Sequence, residues 1–186
     1  DCSLTRACNY RCVYCYGQLQ DNKGHILNEK VLSQFAEDVE TLGVRGISLI
    51  SDGESTCSPH FYNFIQDIKR RGIDIAVGTN GVLLKEEKLE RMLKSLTYLR
   101  FNISAGEPNR YAEIMGCKES DFEKVKKIIK KSTDIKRENN LEVTIGLQMV
   151  LMPSFKDQII PLTKLGKELN VDYLVIKHCS DDEDNS

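Results

Sequence analysis

Cys8-Asn9-Tyr10-Arg11-Cys12-Val13-Tyr14-Cys15 is the stretch on which the reading of this chain turns. Cysteines at spacings of four and three put three thiolates on one short loop. Such a set can wrap an inorganic iron–sulfur cluster, each thiolate on a different iron. A four-iron cubane held this way keeps one iron open to a small molecule that offers an amine and a carboxylate. Structural zinc makes a different demand, four protein ligands. No second Cys-x-x-Cys or His pair completes such a site in the usual pattern, and Cys2, Cys57 or His60 would have to fold into place.

The surroundings of the motif favour metal or catalysis over disulfides. Seven cysteines is an odd count, and the first twenty residues carry charges and four cysteines but no apolar run, so they do not read as a signal peptide. No apolar stretch approaches the roughly 20 residues that cross a bilayer. A net charge of -2 gives no reason to expect nucleic acid or an anionic membrane as partner. These features together predict a cytoplasmic protein, where glutathione keeps thiols reduced. The chain starts at Asp1 without a methionine and ends in an acidic run after an apolar segment. It reads as a core excised from something longer: a domain over 1–180 and an acidic tail over 181–186.

Outward from the motif, element types repeat. Apolar, β-branched runs at 46–51, 73–77, 98–104, 141–152 and 171–176 predict strands, and a short strand around Ser3 and Leu4 makes six. Helical stripes lie between them. Val31, Leu32, Phe35, Val39 and Leu42 form the first; Phe61, Phe64, Ile65 and Ile68, entered through Ser58 and Pro59, form the second; Leu89, Met92, Leu93 and Leu96 form the third. Phe122, Val125, Ile128 and Ile129 form a fourth behind a Ser120/Glu123 capping box, with Lys124 to Lys131 as a solvated face. Leu162, Leu165 and Leu169 form a fifth, in which Pro161 is tolerable if the helix starts near Asp157 or later. Alternation of this kind means parallel pairing with right-handed crossovers, as an open sheet or as a partial barrel. In either case ligands collect at the carboxyl ends of the strands. Those ends carry Asp52-Gly53-Glu54, Thr79-Asn80-Gly81, Asn102, Ser104, Gln148 and Lys177-His178-Cys179.

The cysteine motif, with aromatic Tyr14 before its last cysteine, resembles the signature of the radical S-adenosylmethionine (SAM) superfamily. The resemblance extends over essentially the whole chain. Ser51-Asp52-Gly53-Glu54 is similar to the family's Gly-Gly-Glu-Pro segment, with Asp52 in place of the first glycine and Ser55 in place of the proline. Asn102-Ile103-Ser104, Gln148 and Val175-Ile176 fall where the family meets the ribose and methionine moiety, the nucleoside and the adenine. This resemblance, more than periodicity, selects an α/β parallel (βα)6 partial TIM barrel. It implies a [4Fe-4S] cluster on Cys8, Cys12 and Cys15, and SAM held by Tyr14, Gly53, Glu54, Asn102, Ser104, Gln148 and Ile176. It further implies reductive cleavage of SAM to a 5′-deoxyadenosyl radical that abstracts hydrogen from a small-molecule or peptide substrate. The electron would come from an external donor such as flavodoxin or ferredoxin. Cys179, which follows the last strand, and in second place Cys57, are candidates to donate a hydrogen atom to a substrate radical; Lys177 and His178 are candidate substrate contacts. Peptide modification, sugar modification and epimerisation all stay open. The alternative is an iron–sulfur or zinc module without SAM chemistry, serving electron transfer or regulation.

Overall fold

A computed structural model describes residues 1–19, 24–50 and 52–179. Five strands, β1 (Gly46–Leu49), β2 (Asp74–Thr79), β3 (Tyr98–Asn102), β4 (Thr144–Leu151) and β5 (Tyr173–His178), lie in one sheet in sequence order. Every neighbouring pair is parallel. Helices α1 (Glu29–Thr41), α2 (Phe61–Arg70), α3 (Leu89–Leu93), α4 (Pro108–Met115), α5 (Ser120–Glu138) and α6 (Ile159–Glu168) fill the connections. Alternate strand residues point to opposite faces. Leu99, Phe101 and Ile103 are fully buried in the core beneath the helices, which leaves Tyr98, Arg100 and Asn102 on the concave face.

The expected strand at Ser3 and Leu4 does not form a ladder, so the sheet has five strands and not six. The Cys2 amide donates to the Ser48 carbonyl at 2.8 Å, and Thr5 makes an isolated antiparallel bridge to Ile26. Side chains take up the rest of the pairing: Ser3 Oγ donates to the Asp52 carbonyl (2.7 Å) and Thr5 Oγ1 to the His25 carbonyl (2.8 Å). Ser51, the 180/181 boundary and the acidic tail lie outside the described residues.

The helices follow their apolar spacing, with corrections at the ends. Asn28 caps α1, its Oδ1 accepting from the Val31 amide at 3.0 Å. The buried stripe of α1 is Leu32, Ala36 and Val39, while Val31 and Leu42 face solvent. Phe61, Phe64, Ile65 and Ile68 are all buried. Here α2 begins at Phe61, and Ser58 accepts from the His60 and Phe61 amides just ahead of it. The Ser120/Glu123 capping box does not form, because the position before α5 is Glu119 in helical conformation. The lysine face of α5 is solvated and ion-paired, Lys127 and Lys131 to Glu86 and Lys126 to Glu168. With α6 starting at Ile159, Pro161 sits in the first turn, where its missing amide costs nothing. No stripe predicted α4. No helix among the described residues is long and apolar enough to cross a membrane.

Candidate functional site

The carboxyl ends of the strands and the cysteine loop enclose a cleft of about 570 Å³. Cys8, Cys12 and Cys15 line it together with Tyr14, Asp52-Gly53-Glu54, Asn80, Asn102 and Gln148.

The loop is seated on the end of α4. The Val13 amide donates to the Ile114 carbonyl at 3.0 Å, and the Arg11 amide reaches the Met115 and Gly116 carbonyls at 3.3 Å. Gly116 ends α4 in the left-handed region (φ 58°). A β-carbon there would lie 2.2 Å from the Arg11 carbonyl oxygen, so the close approach requires glycine. Below the loop, Tyr10 packs edge-on against Tyr111 (centroids 6.2 Å apart), and their hydroxyls hydrogen-bond at 3.2 Å. Tyr14 is fastened by its hydroxyl, which bonds Ser104 Oγ (2.9 Å) and the Met115 sulfur (3.3 Å).

Burial pushes the Cys8 thiol up, and pushes Cys12 up to about 12 with the Cys15 and Cys8 thiols beside it adding to the effect. Metal binding has to displace those protons.

On the far side, Gly53 turns with φ 73°, and a β-carbon there would sit 2.4 Å from the Thr5 carbonyl oxygen. The next amide, Glu54, donates to the Ala7 carbonyl at 2.8 Å. Glu54 is buried and its carboxylate is fully engaged. One oxygen accepts from the Thr56 amide (3.1 Å), Thr56 Oγ1 (2.7 Å) and Thr79 Oγ1 (2.7 Å); the other accepts from the Asn80 amide (2.7 Å). Asn80 in turn donates to Asn9 in the cysteine loop at 2.9 Å. Glu54 therefore ties the ends of β1 and β2 to the loop from its place in the cleft wall.

Asn102 and Gln148 are register partners on β3 and β4. Their side-chain oxygens are buried and have no hydrogen-bond partner. Buried acceptors of this kind are costly unless a donor arrives, and both residues line the cleft.

The remaining expected residues lie elsewhere. Ser104 is fully buried behind Tyr14, where its Oγ also accepts from the Val150 amide at 3.2 Å. It positions Tyr14 and does not line the cleft. Ser104→Ala is expected to cost about 1–2 kcal/mol, a fall of roughly 2–8 °C in a thermal melt; an unchanged melt would remove it from the support of Tyr14. Ile176 on β5 is exposed and away from the cleft, where Val150 takes the apolar wall. Cys57 lies behind the loop, its thiol 3.8 Å from Asn9 Oδ1 and pushed up to about 11 by burial. Cys179, at the end of β5, donates its amide to the Leu151 carbonyl at 3.0 Å. Neither cysteine lines the cleft. Asn9, Met115 and the whole of α4 were not predicted, since Tyr111, Ile114 and Met115 make an apolar pattern too short to stand out.

The donor set fits the expected cofactors. Among the described residues no three His, Cys, Asp or Glu side chains converge where a single metal ion would sit. Three thiols in one cleft suit an iron–sulfur cluster, and the two unpartnered oxygens suit a ligand rich in donors, such as a ribose or an aminopurine.

The comparisons agree with that geometry. The curated relatives include a tungsten-containing aldehyde ferredoxin oxidoreductase cofactor-modifying protein of Pyrococcus furiosus, 23% identical over 94% of this chain and 49% of that protein. A probable GTP 3′,8-cyclase of Saccharolobus islandicus is 23% identical over 91% of this chain and 53% of its own length. The chain thus spans about half the length of these relatives. Among solved structures, Streptococcus suis SuiB bound to SAM superposes with a TM-score of 0.78 at 17% identity, over 98% of this chain and 41% of that one. Native anSMEcpe with bound AdoMet and a Kp18Cys peptide gives 0.73 at 17% identity, over 96% and 50%. The fold is the partial barrel these structures share. The family model that matches residues 2–164 describes proteins whose cofactors are a [4Fe-4S] cluster and SAM, and by that match the chain belongs to the radical SAM superfamily.

Proposed function

We propose that residues 1–180 are the radical-generating core of a cytoplasmic enzyme that uses SAM to take a hydrogen atom from a peptide or small-molecule substrate. The observation that carries this reading is the pair of buried, unpartnered oxygens, Asn102 Oδ1 and Gln148 Oε1, in the same cleft as three thiols. When bound, the cluster and SAM supply an electron and, from it, a carbon-centred radical. The chain's own residues prepare for that event. Cys8, Cys12 and Cys15 would hold the cluster, with SAM bound beside it in the same cleft. The Gly53 turn brings backbone, without a side chain, to the cleft wall beside them. Asn102 and Gln148 accept hydrogen bonds from the nucleoside, and Tyr14 packs beside it on an anchored hydroxyl. The buried floor under the loop excludes water from the reacting atoms. An electron donor such as flavodoxin or ferredoxin is required from outside.

The test is anaerobic reconstitution with iron and sulfide, reduction with dithionite, and EPR with and without SAM. The expected result is a reduced-cluster signal that shifts on adding SAM, is lost in Cys8→Ala, Cys12→Ala and Cys15→Ala, and is accompanied by formation of 5′-deoxyadenosine. A protein that took up one zinc, or a cluster indifferent to SAM, would instead be a metal module without this chemistry. As a second check, Asn102→Leu and Gln148→Leu together are expected to keep iron content while weakening SAM binding by about tenfold or more.

A further inference from the structure

One pleat repeat deeper on the concave face, roughly 7 Å below Asn102, a second unpartnered group lies outside the site described above. Arg100 Nε is buried without a hydrogen-bond partner. No ion pair involving its guanidinium occurs among the described residues. Other arginines of the chain behave differently, Arg110 for instance being pinned to Asp157 and to the Ser154 carbonyl.

The row in which Arg100 sits is shaped for it. Its register partners are Gly78 on β2 and Gly146 on β4, and Gly146 in turn faces Tyr173 on β5. A β-carbon on Gly78 would lie 3.4 Å from an Arg100 terminal nitrogen and 3.0 Å from the Ile50 side chain, so the guanidinium reaches over β2 beside Ile50. On the other side the Tyr173 ring covers Gly146, where a β-carbon would be 2.0 Å from it. Tyr173 stacks on Tyr98 (centroids 5.8 Å apart, 21° between planes) and shares a hydroxyl hydrogen bond with it. Burial and the Tyr98 hydroxyl hold the Tyr173 phenol protonated. The local inventory is rich in donors, a guanidinium and a phenol pair; the nearby carboxylate, Asp172, is taken up by Lys136 and the Ile145 amide.

A half-buried cation without a counter-charge is costly. The guanidinium fork matches a carboxylate or phosphate with two parallel hydrogen bonds. We infer that the Arg100 row anchors an oxyanion of the substrate, a carboxylate or a phosphate, below the level of the nucleoside. This assignment rests on the cleft above it being the SAM site. It narrows the substrate class to molecules with an anionic end that reaches past the Asn102–Gln148 pair, with the hydrogen to be abstracted one pleat repeat or more from that end.

The experiment uses the full-length, cluster-loaded protein labelled with ¹⁵N-arginine and kept oxidised. The Arg100 Nε–H resonance is identified by its loss in Arg100→Gln, or in Arg100→Lys should the first variant fold poorly. Acetate and inorganic phosphate are titrated separately against chloride at equal ionic strength. The expected result is a saturable shift of that resonance that chloride does not produce. Stronger binding of acetate points to a carboxylate substrate, stronger binding of phosphate to a phosphorylated one. A parallel rise in melting temperature with the same oxyanion should drop to the chloride level in the Arg100 variant. The inference is overturned if the resonance ignores both anions, including the case in which a carboxylate of the protein itself already holds it. The SAM-induced EPR change is recorded on the same wild-type samples. Its absence removes the SAM reading, whereas the anion titration reports on Arg100 alone.

Discussion

Glu54→Gln is expected to destabilise the protein by about 3 kcal/mol, seen as a fall of roughly 6–12 °C in the unfolding temperature. The carboxylate accepts from two backbone amides and two hydroxyls, with three of these donors on one oxygen and the Asn80 amide on the other. A side-chain amide has one acceptor oxygen. Whichever way it is turned, its NH₂ faces a buried backbone N–H, of Thr56 or of Asn80. The Asn80 link to Asn9 then loosens, so SAM binding should weaken even though position 54 keeps its shape. Thermal melts and SAM titrations of the reconstituted variant make the check. A loss under about 1 kcal/mol, or about 2–4 °C, would mean that Glu54 is not the tie between the two strand ends.

Gly116→Ala should have a smaller effect on stability and a larger one on the metal centre. The left-handed conformation costs an L-residue about 1–2 kcal/mol. The more serious cost is the contact, because a β-carbon 2.2 Å from the Arg11 carbonyl oxygen cannot stay where it is. The loop between Cys8 and Cys12 must retreat, and the three thiols lose their common geometry. The expected result is a folded protein whose iron and acid-labile sulfide fall to near background. Gly43→Ala supplies the control, for Gly43 also has positive φ (71°) but nothing within 4 Å of its would-be β-carbon. That variant should bear the backbone cost and still load iron normally. Equal iron loading in the two variants would show that α4 does not seat the cysteine loop.

Much of this was legible in the sequence, for reasons particular residues show. Phe61, Phe64, Ile65 and Ile68 repeat at helical spacing and are all buried; the β-branched runs became β1 to β5 in the order expected. The cysteine spacing announced a cluster loop, and the loop does stand at the strand ends with the other expected ligand residues Tyr14, Gly53, Glu54, Asn102 and Gln148 around one cleft. What stayed hidden depends on contacts that no local pattern encodes. Glu54 sits at the mouth, yet its direction is set by Thr56, Thr79 and Asn80. Ser104 was expected as a ligand contact from the family resemblance of the strand end it closes, but Tyr14, 90 residues away in sequence, claims its hydroxyl. Ile176 was expected at the adenine from the family resemblance, yet β5 lies at the edge of the sheet, which leaves that side chain exposed. Arg100 carried no signal in the sequence; only its register with Gly78 and Gly146 gives it a place.

The seating of the cysteine loop on α4 also fixes an order of events in the life of the protein. Adjacent strands pair in chain order, so each βα unit can close on its predecessor as the polypeptide emerges, and loop closure over such short spans is inexpensive. The loop is the exception, because Tyr14 meets Met115 across 101 residues. Until α4 has been made and docked, the three thiols have no fixed arrangement and stand open to oxidants. If these thiols take the proposed cluster, its assembly waits for the middle of the chain, and slow synthesis or oxidative stress in that interval would damage the thiols first.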